Sequence, residues 1–238
     1  MTTPNPISNR PSRSPPTTTR IPTAYASRAR CFAAMRWQGT FTSWLPGASS
    51  PRASPGCSTS AAAEGELARY LPDGVWVGLD NSQTMLNRGP AGGVLGEATA
   101  LPFADESFDG VAILYVLYHL SDPRHALAEA HRAMRRGGLI AVAAPSRHDS
   151  PELAHALPKT QLTFDAQLAP DLLQELFEEL EIKRWDAPLI KLPTARAVRD
   201  YLVGKQVAPD RAQAVAEATE LPLSVTKRGV LLFARKSS

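Results

Sequence analysis

Apolar and polar positions alternate between residues 64 and 145 in a way that predicts strands and helices in turn. Four short apolar runs are typical of buried strands: residues 75–79, 92–95, 108–114 and 139–144. Between the last two runs, Leu127, Ala130 and Met134 recur at helical spacing. A strand, a helix and a further strand at this spacing predict parallel strands joined by helical crossovers, and therefore a doubly wound, mostly parallel α/β fold.

The clearest helix signal lies between the last two of these strands. Ser121 or Asp122 can cap the helix, and Pro123 suits its first position. We expect the helix to continue through Arg135 and Arg136, where the helix dipole favours cations, and to end at the glycine pair that follows.

The remaining elements are predicted from weaker patterns. Residues 66–71 are typical of a short helix, and Ser82 is a candidate cap for another helix after the first strand. Past residue 145, the pattern predicts three helices and two strands: helices at 169–177, 195–203 and 210–219, and strands at 182–192 and 230–234. Pro188 is expected to break the first of these strands.

Composition separates residues 1–60 from the rest of the chain. They hold seven Arg, no Lys, Asp or Glu, and nine of the 21 prolines, whereas the other 178 residues hold 19 basic and 23 acidic side chains. The pI near 9.0 therefore comes from this head, and a nucleic-acid partner is not indicated. The head is interpreted as a disordered Arg/Pro/Ser-rich tail, an organellar transit peptide, or a segment read in the wrong frame.

The whole-chain composition excludes several classes of protein. With 43% hydrophobic residues in 238, the chain can bury a core, so global disorder is excluded. The longest mostly apolar stretch, residues 111–120, is too short to span a bilayer, and we expect a soluble, cytoplasmic protein. Cys31 and Cys57 fit no zinc spacing, so no metal site is expected.

Candidate chemistry falls where the predicted strands end. Asp80 ends one strand and could accept hydrogen bonds from both hydroxyls of a ribose, although a helix-capping acid is an equally good interpretation. Glu97 could accept from an adenine amino group and the Ala98 amide could donate to a ring nitrogen, although Glu97 alone is also typical of a solvated loop. Tyr115 follows the third strand. His119, a little further on, could act as a general base or have a structural role.

These stretches together resemble the class I S-adenosylmethionine-dependent methyltransferases of the type 11 kind. The resemblance rests on Val-Gly-Leu-Asp-Asn-Ser at 77–82, on Gly-Glu-Ala-Thr-Ala-Leu-Pro-Phe at 96–103, and on residues 117–138. It implies S-adenosyl-L-methionine as the cofactor, bound by Gly65, Asp80, Asn81, Glu97, Ala98 and Tyr115. The family usually has Asp where this chain has Glu97. The resemblance also implies a Rossmann-like sheet whose two terminal strands pair antiparallel.

The chain departs from the family at the loop after the first strand. The family has a strand and glycine loop of the form Val-Leu-Asp-Val-Gly-Cys-Gly-x-Gly, but residues 55–65 are predicted to be neither strand nor glycine loop, with Gly65 as the surviving end. The codons possible for residues 56–63, read in a shifted frame, permit Val-Leu-Asp-Val-Gly-Cys-Gly. We therefore favour a frameshift that ends near Ala63. As written, residues 1 to about 60 should be poorly ordered, with any strand near residues 55–60 short or strained.

The resemblance implies methyl transfer to an acceptor that the sequence does not identify. We expect a head at residues 1–60 and a methyltransferase domain at 61–238, in which residues 146–222 cover the acceptor. Two alternatives stay open: a non-catalytic remnant without the glycine loop, and another Rossmann-like enzyme such as a nicotinamide-dependent reductase. The reductase would need a Gly-x-Gly-x-x-Gly loop that neither reading frame supplies. The oligomeric state cannot be read from the sequence.

Overall fold

The structure, a computed structural model, describes residues 57–60, 76–88, 93–159 and 161–238. Its strands are β1 Cys57–Ser60, β2 Trp76–Asp80, β3 Gly93–Leu95, β4 Phe108–Leu114, β5 Met134–Pro145, β6 Glu178–Leu192 and β7 Leu223–Arg235. Its α-helices are α1 Gln83–Leu86, α2 Pro123–Ala133, α3 Ala169–Gln174, α4 Ala195–Gly204 and α5 Pro209–Glu217. Short 3-10 turns cover Leu117–His119 and Pro151–Leu153.

The strands form one seven-stranded sheet in the order β3-β2-β1-β4-β5-β7-β6. Strands β1 to β5 are parallel, and β7 lies antiparallel between β5 and β6. This arrangement confirms the predicted mostly parallel, doubly wound sheet with an antiparallel terminal pair. The strand order reverses between β1 and β4, and ligands of such sheets bind in the crevice at the carboxyl ends of the strands beside that reversal.

Strand β1 lies in the segment that the sequence predicts to be neither strand nor glycine loop, with any strand near residues 55–60 short, and it is a short strand of four residues. Residues 57–60 form a short strand at the centre of the sheet, where Ser58 pairs with Val77 of β2 on one side and with Val111 of β4 on the other. Pairing on both sides satisfies backbone groups of three strands at once, and this outweighs a composition poor in apolar residues. The rest of the head, the predicted helix at 66–71 and Gly65 lie outside the described residues.

Helix α2 is shorter than predicted. The helix was expected to reach the glycine pair at 137–138, but β5 already begins at Met134. The helix ends at Ala133, and Met134 is already extended and pairs with Phe108 of β4. Arg135 continues the strand and its guanidinium contacts the Asp109 carboxylate at 2.7 Å, so strand pairing replaces the expected last helical turn. The ladder then skips residues before it resumes at Leu139, an irregularity that contains Gly137 with its positive φ of 71°.

Three further elements differ in extent. Helix α3 ends at Gln174 rather than at Phe177, which nevertheless packs into the core. Strand β6 is not broken at Pro188: it continues to Leu192 with a register shift just after the proline, which an edge strand tolerates. Strand β7 begins seven residues before the predicted start, because residues 223–229 pair with β6.

Three buried apolar clusters hold the described residues together, and the smallest, which includes Ala141 and Phe233, lies on β4, β5 and β7. In the main core, one face of the sheet packs against α2 and α3, with Leu127 and Leu173 fully buried against Ile113 and Ile140. A second, smaller core lies between α4, α5 and the far ends of β6 and β7. The second core joins the segment after β5, through Leu153 and Ala156, to α4, α5 and the ends of β6 and β7.

Candidate functional site

Asp80 ends β2 at the carboxyl edge of the sheet, one strand away from the reversal of strand order. Its carboxylate is buried, with the residue 8% exposed. The oxygen Oδ1 accepts the backbone N–H of Ser82 at 2.9 Å in the turn that leads into α1, and the Ser82 side chain makes no capping bond. Within the described residues, Oδ2 accepts no hydrogen bond. One carboxylate oxygen therefore fixes the side chain and the other can accept a hydrogen bond from a ligand.

The ends of β2 and β3 bring three predicted site residues together. The Gly96 N–H donates to the Asp80 carbonyl at 3.1 Å, which joins the two strand ends. Beyond this bond, the Asn81 amide Nδ2 lies 3.5 Å from both carboxylate oxygens of Glu97, a long and weak contact between exposed side chains. Ala98 follows with its side chain in the main core. Two carboxylates and a side-chain amide thus face one stretch of the sheet edge.

Tyr115 and His119 lie on the other side of β1. Tyr115 directly follows β4, has a positive φ of 60°, and donates its N–H to the Ala143 carbonyl at 2.9 Å. Neighbouring strands lie about 4.8 Å apart, so the two-strand step from β2 to β4 separates Asp80 from Tyr115 by roughly 10 Å along the edge. His119 is exposed, and its ring lies 4.2 Å from that of Tyr118, centroid to centroid. Gly65, the remaining predicted residue, lies outside the described residues.

A buried polar cluster lies past the carboxyl end of β5, in the segment expected to cover the acceptor. Asp149 accepts from the ammonium groups of Lys227 and Lys205, the latter at 3.2 Å, and its Oδ1 accepts the Arg228 N–H at 3.0 Å. The hydroxyls of Ser150 and Tyr201 are 2.7 Å apart, and the Lys227 ammonium lies 3.2 Å from the Tyr201 hydroxyl. The cluster joins the loop after β5 to α4 and β7.

Burial and charge act in opposite directions on this cluster. Burial alone would raise the pKa of Asp149, but the ammonium groups of Lys227 and Lys205 outweigh it and hold that pKa below its usual range. Burial alone would lower the pKa of Lys227, but Tyr201 and Asp149 beside it raise that pKa above its usual range. Both groups are therefore ionised at neutral pH.

Sequence reasoning found only part of this cluster. Sequence analysis predicts only that residues 146–222 follow a strand end and cover the acceptor, and no motif marks Tyr201, Lys205 or Lys227. The contact from Lys227 to Asp149 joins residues 78 apart in the sequence, and the one from Lys205 joins residues 56 apart. No periodicity or local motif reports a pairing over such a separation.

A metal site and a membrane span would each need a particular feature among the described residues. Among them, no group of three His, Cys, Asp or Glu side chains is placed to hold a metal ion. Of the helices in that part of the chain, none is both long and apolar enough to cross a membrane.

Comparison with known proteins agrees with this geometry. Residues 54–142 match a family described as "Methyltransferase domain". A demethylmenaquinone methyltransferase of Roseiflexus castenholzii is 38% identical over 95 residues, which cover 37% of this chain and 40% of that protein. A malonyl-[acyl-carrier protein] O-methyltransferase of Dechloromonas aromatica is 40% identical over 106 residues, covering 42% and 38%. The chain therefore spans less than half the length of these curated relatives.

A solved structure supports the fold over a longer stretch. The YcgJ protein from Bacillus subtilis superposes with a TM-score of 0.60 at 17% sequence identity, covering 77% of this chain and 92% of that one. The sheet order, the strand-end acids and the matched segment define a Rossmann-like methyltransferase fold. The match over residues 54–142 makes this segment similar to the class I S-adenosylmethionine-dependent methyltransferases. The family match begins at residue 54, so it includes β1 as well as the stretch that carries the resemblance.

Proposed function

We propose that this protein transfers a methyl group from S-adenosylmethionine to a small organic acceptor. The observation that carries the proposal is the joining of the β2 and β3 ends, which places the Asp80 carboxylate beside Asn81 and Glu97 at the carboxyl edge of the sheet. This is the edge at which doubly wound folds bind nucleotides. The acceptors named for the two curated relatives are organic molecules or carrier-bound groups, which supports the choice of acceptor class.

The residues present suit the adenosyl part of this cofactor. A ribose offers hydroxyl donors and an adenine offers an amino donor, and the buried Asp80 carboxylate and the Glu97 carboxylate are acceptors. In the proposed site, Asp80 Oδ2 accepts from the ribose, Glu97 accepts from the amino group and the Ala98 amide donates to the ring. Tyr115 bounds the site on the β4 side. When bound, S-adenosylmethionine supplies an electrophilic methyl group on a sulfonium centre.

The chain's remaining task is to place the acceptor in line with that methyl group. In the proposal, residues 146–222 cover the acceptor and exclude water, and the Asp149 cluster holds this cover on the sheet. His119 is the candidate for taking a proton from the acceptor, since it lies near the end of β4. Positioning supplies much of the rate enhancement for such a displacement, so the proposal does not depend on a strong general base.

Cofactor binding tests the proposal without knowledge of the acceptor. Isothermal titration calorimetry with S-adenosylhomocysteine should show one site in the wild-type protein. Asp80→Ala should weaken binding at least about tenfold, because a hydrogen bond to a charged group contributes about 1.5–3 kcal/mol.

Asp122→Ala is the matched control. Asp122 caps α2 by accepting the Arg124 N–H at 3.0 Å, as Asp80 accepts the Ser82 N–H, but it is not at the proposed site. Both variants lose a carboxylate that accepts the backbone N–H two residues later, and only Asp80→Ala should lose cofactor affinity. Equal affinities in the two variants would remove Asp80 from the site.

A non-catalytic protein with a methyltransferase fold is the second candidate. It is favoured by one observation: residues 55–65 contain no Gly-x-Gly pair, although the family's loop at this position approaches the methionine end of the cofactor. Absence of S-adenosylhomocysteine binding by the folded wild-type protein would select this candidate over the enzyme.

A further inference from the structure

The residues proposed to bind the adenine lie in a loop with little regular structure. Residues 96–107 connect β3 to β4 and contain an isolated bridge between Glu97 and Ala100. Ala98 and Leu101 enter the main core, but a loop of this length needs further contacts to hold its backbone in one conformation. The position of the Ala98 amide, three residues before Leu101, therefore depends on what fixes Leu101.

Arg132, in the last turn of α2, supplies those contacts. Its guanidinium donates to the carbonyls of Phe103 at 2.9 Å and Leu101 at 3.2 Å, and to the Asp105 carboxylate at 2.7 Å. Its Nε and Nη2 donate to the two carboxylate oxygens of Glu129 at 2.8 and 2.9 Å. An arginine side chain has five N–H groups, and all five are used here.

Glu129 completes the arrangement from the same helix. Its Oε2 accepts the backbone N–H of Leu101 at 2.8 Å. The N–H and the carbonyl of Leu101 are therefore both bound to α2, one through Glu129 and the other through Arg132. Both side chains are partly buried, at 23% and 31% exposed.

A second arginine of α2, Arg124, also makes a bidentate pair with a glutamate, but this pair lies away from the loop at 96–107. Arg124 donates to both carboxylate oxygens of Glu175 at 2.9 and 3.0 Å, but the two side chains are 57% and 46% exposed and join α2 to the end of α3. Neither residue contacts the loop at 96–107 through a hydrogen bond or ion pair within the described residues. Both arginines thus make a bidentate pair, and Arg132 differs from Arg124 in its bonds to the backbone of the loop.

We propose that Glu129 and Arg132 are positioning residues that set cofactor affinity and selectivity for adenine by fixing the loop at 96–107. This inference rests on the proposed function, because it assigns the loop to the adenine end of S-adenosylmethionine. Neither residue touches the cofactor: Leu101 transmits their effect to Ala98 and Glu97. A lysine cannot replace Arg132, since one ammonium cannot reach two carbonyls and two carboxylates in this planar arrangement.

The test compares Arg132→Lys with Arg124→Lys. Each variant replaces an arginine of α2 that pairs with a glutamate through two N–H groups. Calorimetry with S-adenosylhomocysteine should show a Kd about tenfold higher for Arg132→Lys and unchanged for Arg124→Lys. S-inosylhomocysteine, in which a carbonyl replaces the adenine amino group, serves as the second probe. The wild type should prefer the adenosyl compound, and Arg132→Lys should lose most of that preference, a change that general destabilisation does not produce.

Glu129→Gln is the second variant, for use if Arg132→Lys does not fold. It keeps the size of the side chain and weakens its bonds to Arg132 and to Leu101, and it should shift both measurements in the same direction. Wild-type affinity and wild-type preference in a folded Arg132→Lys or Glu129→Gln protein would overturn the positioning role while leaving the proposed function intact. Failure of the wild type to bind either probe would overturn both.

Discussion

Replacing Asp149 by asparagine tests whether the buried cluster fastens the segment after β5 to the sheet. The side chains of Asp149, Lys227 and Lys205 are 8%, 15% and 22% exposed, so their charges are largely removed from water. Asparagine keeps an oxygen that can accept the Arg228 N–H but removes the charge that both ammonium groups share. Removal of one partner from a buried ion pair costs about 3–5 kcal/mol, because the other charge stays buried without compensation.

The assay is urea unfolding at pH 7 of Asp149→Asn and of Asp186→Asn. Asp186 is also paired with a basic side chain, Arg228 at 3.0 Å, but it is 62% exposed. We expect Asp149→Asn to lose about 3 kcal/mol or more of unfolding free energy, and Asp186→Asn less than about 1 kcal/mol, since water screens an exposed pair. The double variant Asp149→Asn/Lys227→Met should recover part of the loss, because it removes the uncompensated ammonium group.

The pH dependence of stability gives an independent check. The folded pKa of Asp149 lies below its usual value of about 3.9, so its stabilisation is present above that value and is lost as the pH falls through the folded pKa. The folded pKa of Lys227 lies above its usual value of about 10.4, so its stabilisation is present below that value and is lost as the pH rises through the folded pKa. Asp149→Asn should therefore flatten the acid limb of the stability curve. Equal unfolding free energies for the two asparagine variants, or an unchanged acid limb, would refute this account of the cluster.

The remaining predictions concern β7 and the head. Gly229→Ala should cost about 1–3 kcal/mol in urea unfolding, because an added Cβ would lie 2.2 Å from Cζ2 of Trp185 and 2.8 Å from the Ala144 carbonyl; an unchanged midpoint would contradict this packing. The coding DNA before Glu64, read in the shifted frame, should spell Val-Leu-Asp-Val-Gly-Cys-Gly, and a stop codon shortly before this point would eliminate the frameshift. A chain repaired in this way should bind S-adenosylhomocysteine more tightly in calorimetry and melt at a higher temperature than the chain as written, and equal values would argue against a missing glycine loop.

Local signals predicted the parallel part of the sheet well. The apolar runs at 75–79 and 108–114 each form a strand within one residue of the predicted bounds, because short runs buried on both faces have few other structures available. The positions of Asp80 and Glu97 followed from the same signals, since residues at the carboxyl ends of adjacent parallel strands meet at one edge. Their roles in binding stay a prediction.

Tertiary pairing decided what the local signals did not. Arg135 and Arg136 are favourable at a helix end, but they lie in β5, which pairs with β4. The glycine pair at 137–138 lies at the irregularity of this ladder and does not end a helix. At β1, the residues Cys-Ser-Thr-Ser carry no apolar pattern, and only the position between β2 and β4 gives them a partner on each side. Such effects depend on residues far away in the sequence and leave no local trace.

The division of the sheet at β1 has a consequence for hydrogen exchange. Of the buried apolar residues in 77–88, 93–159 and 161–238, only Leu79, Ala98 and Leu101 precede β4, and all three belong to the main core. With few described apolar side chains to hold them, β2 and β3 are expected to exchange their amide protons faster than β4, β5 and β7 in native-state hydrogen exchange. A ligand that contacts both Asp80 and the end of β4 should slow this exchange, because it binds the form in which both strand ends are in place.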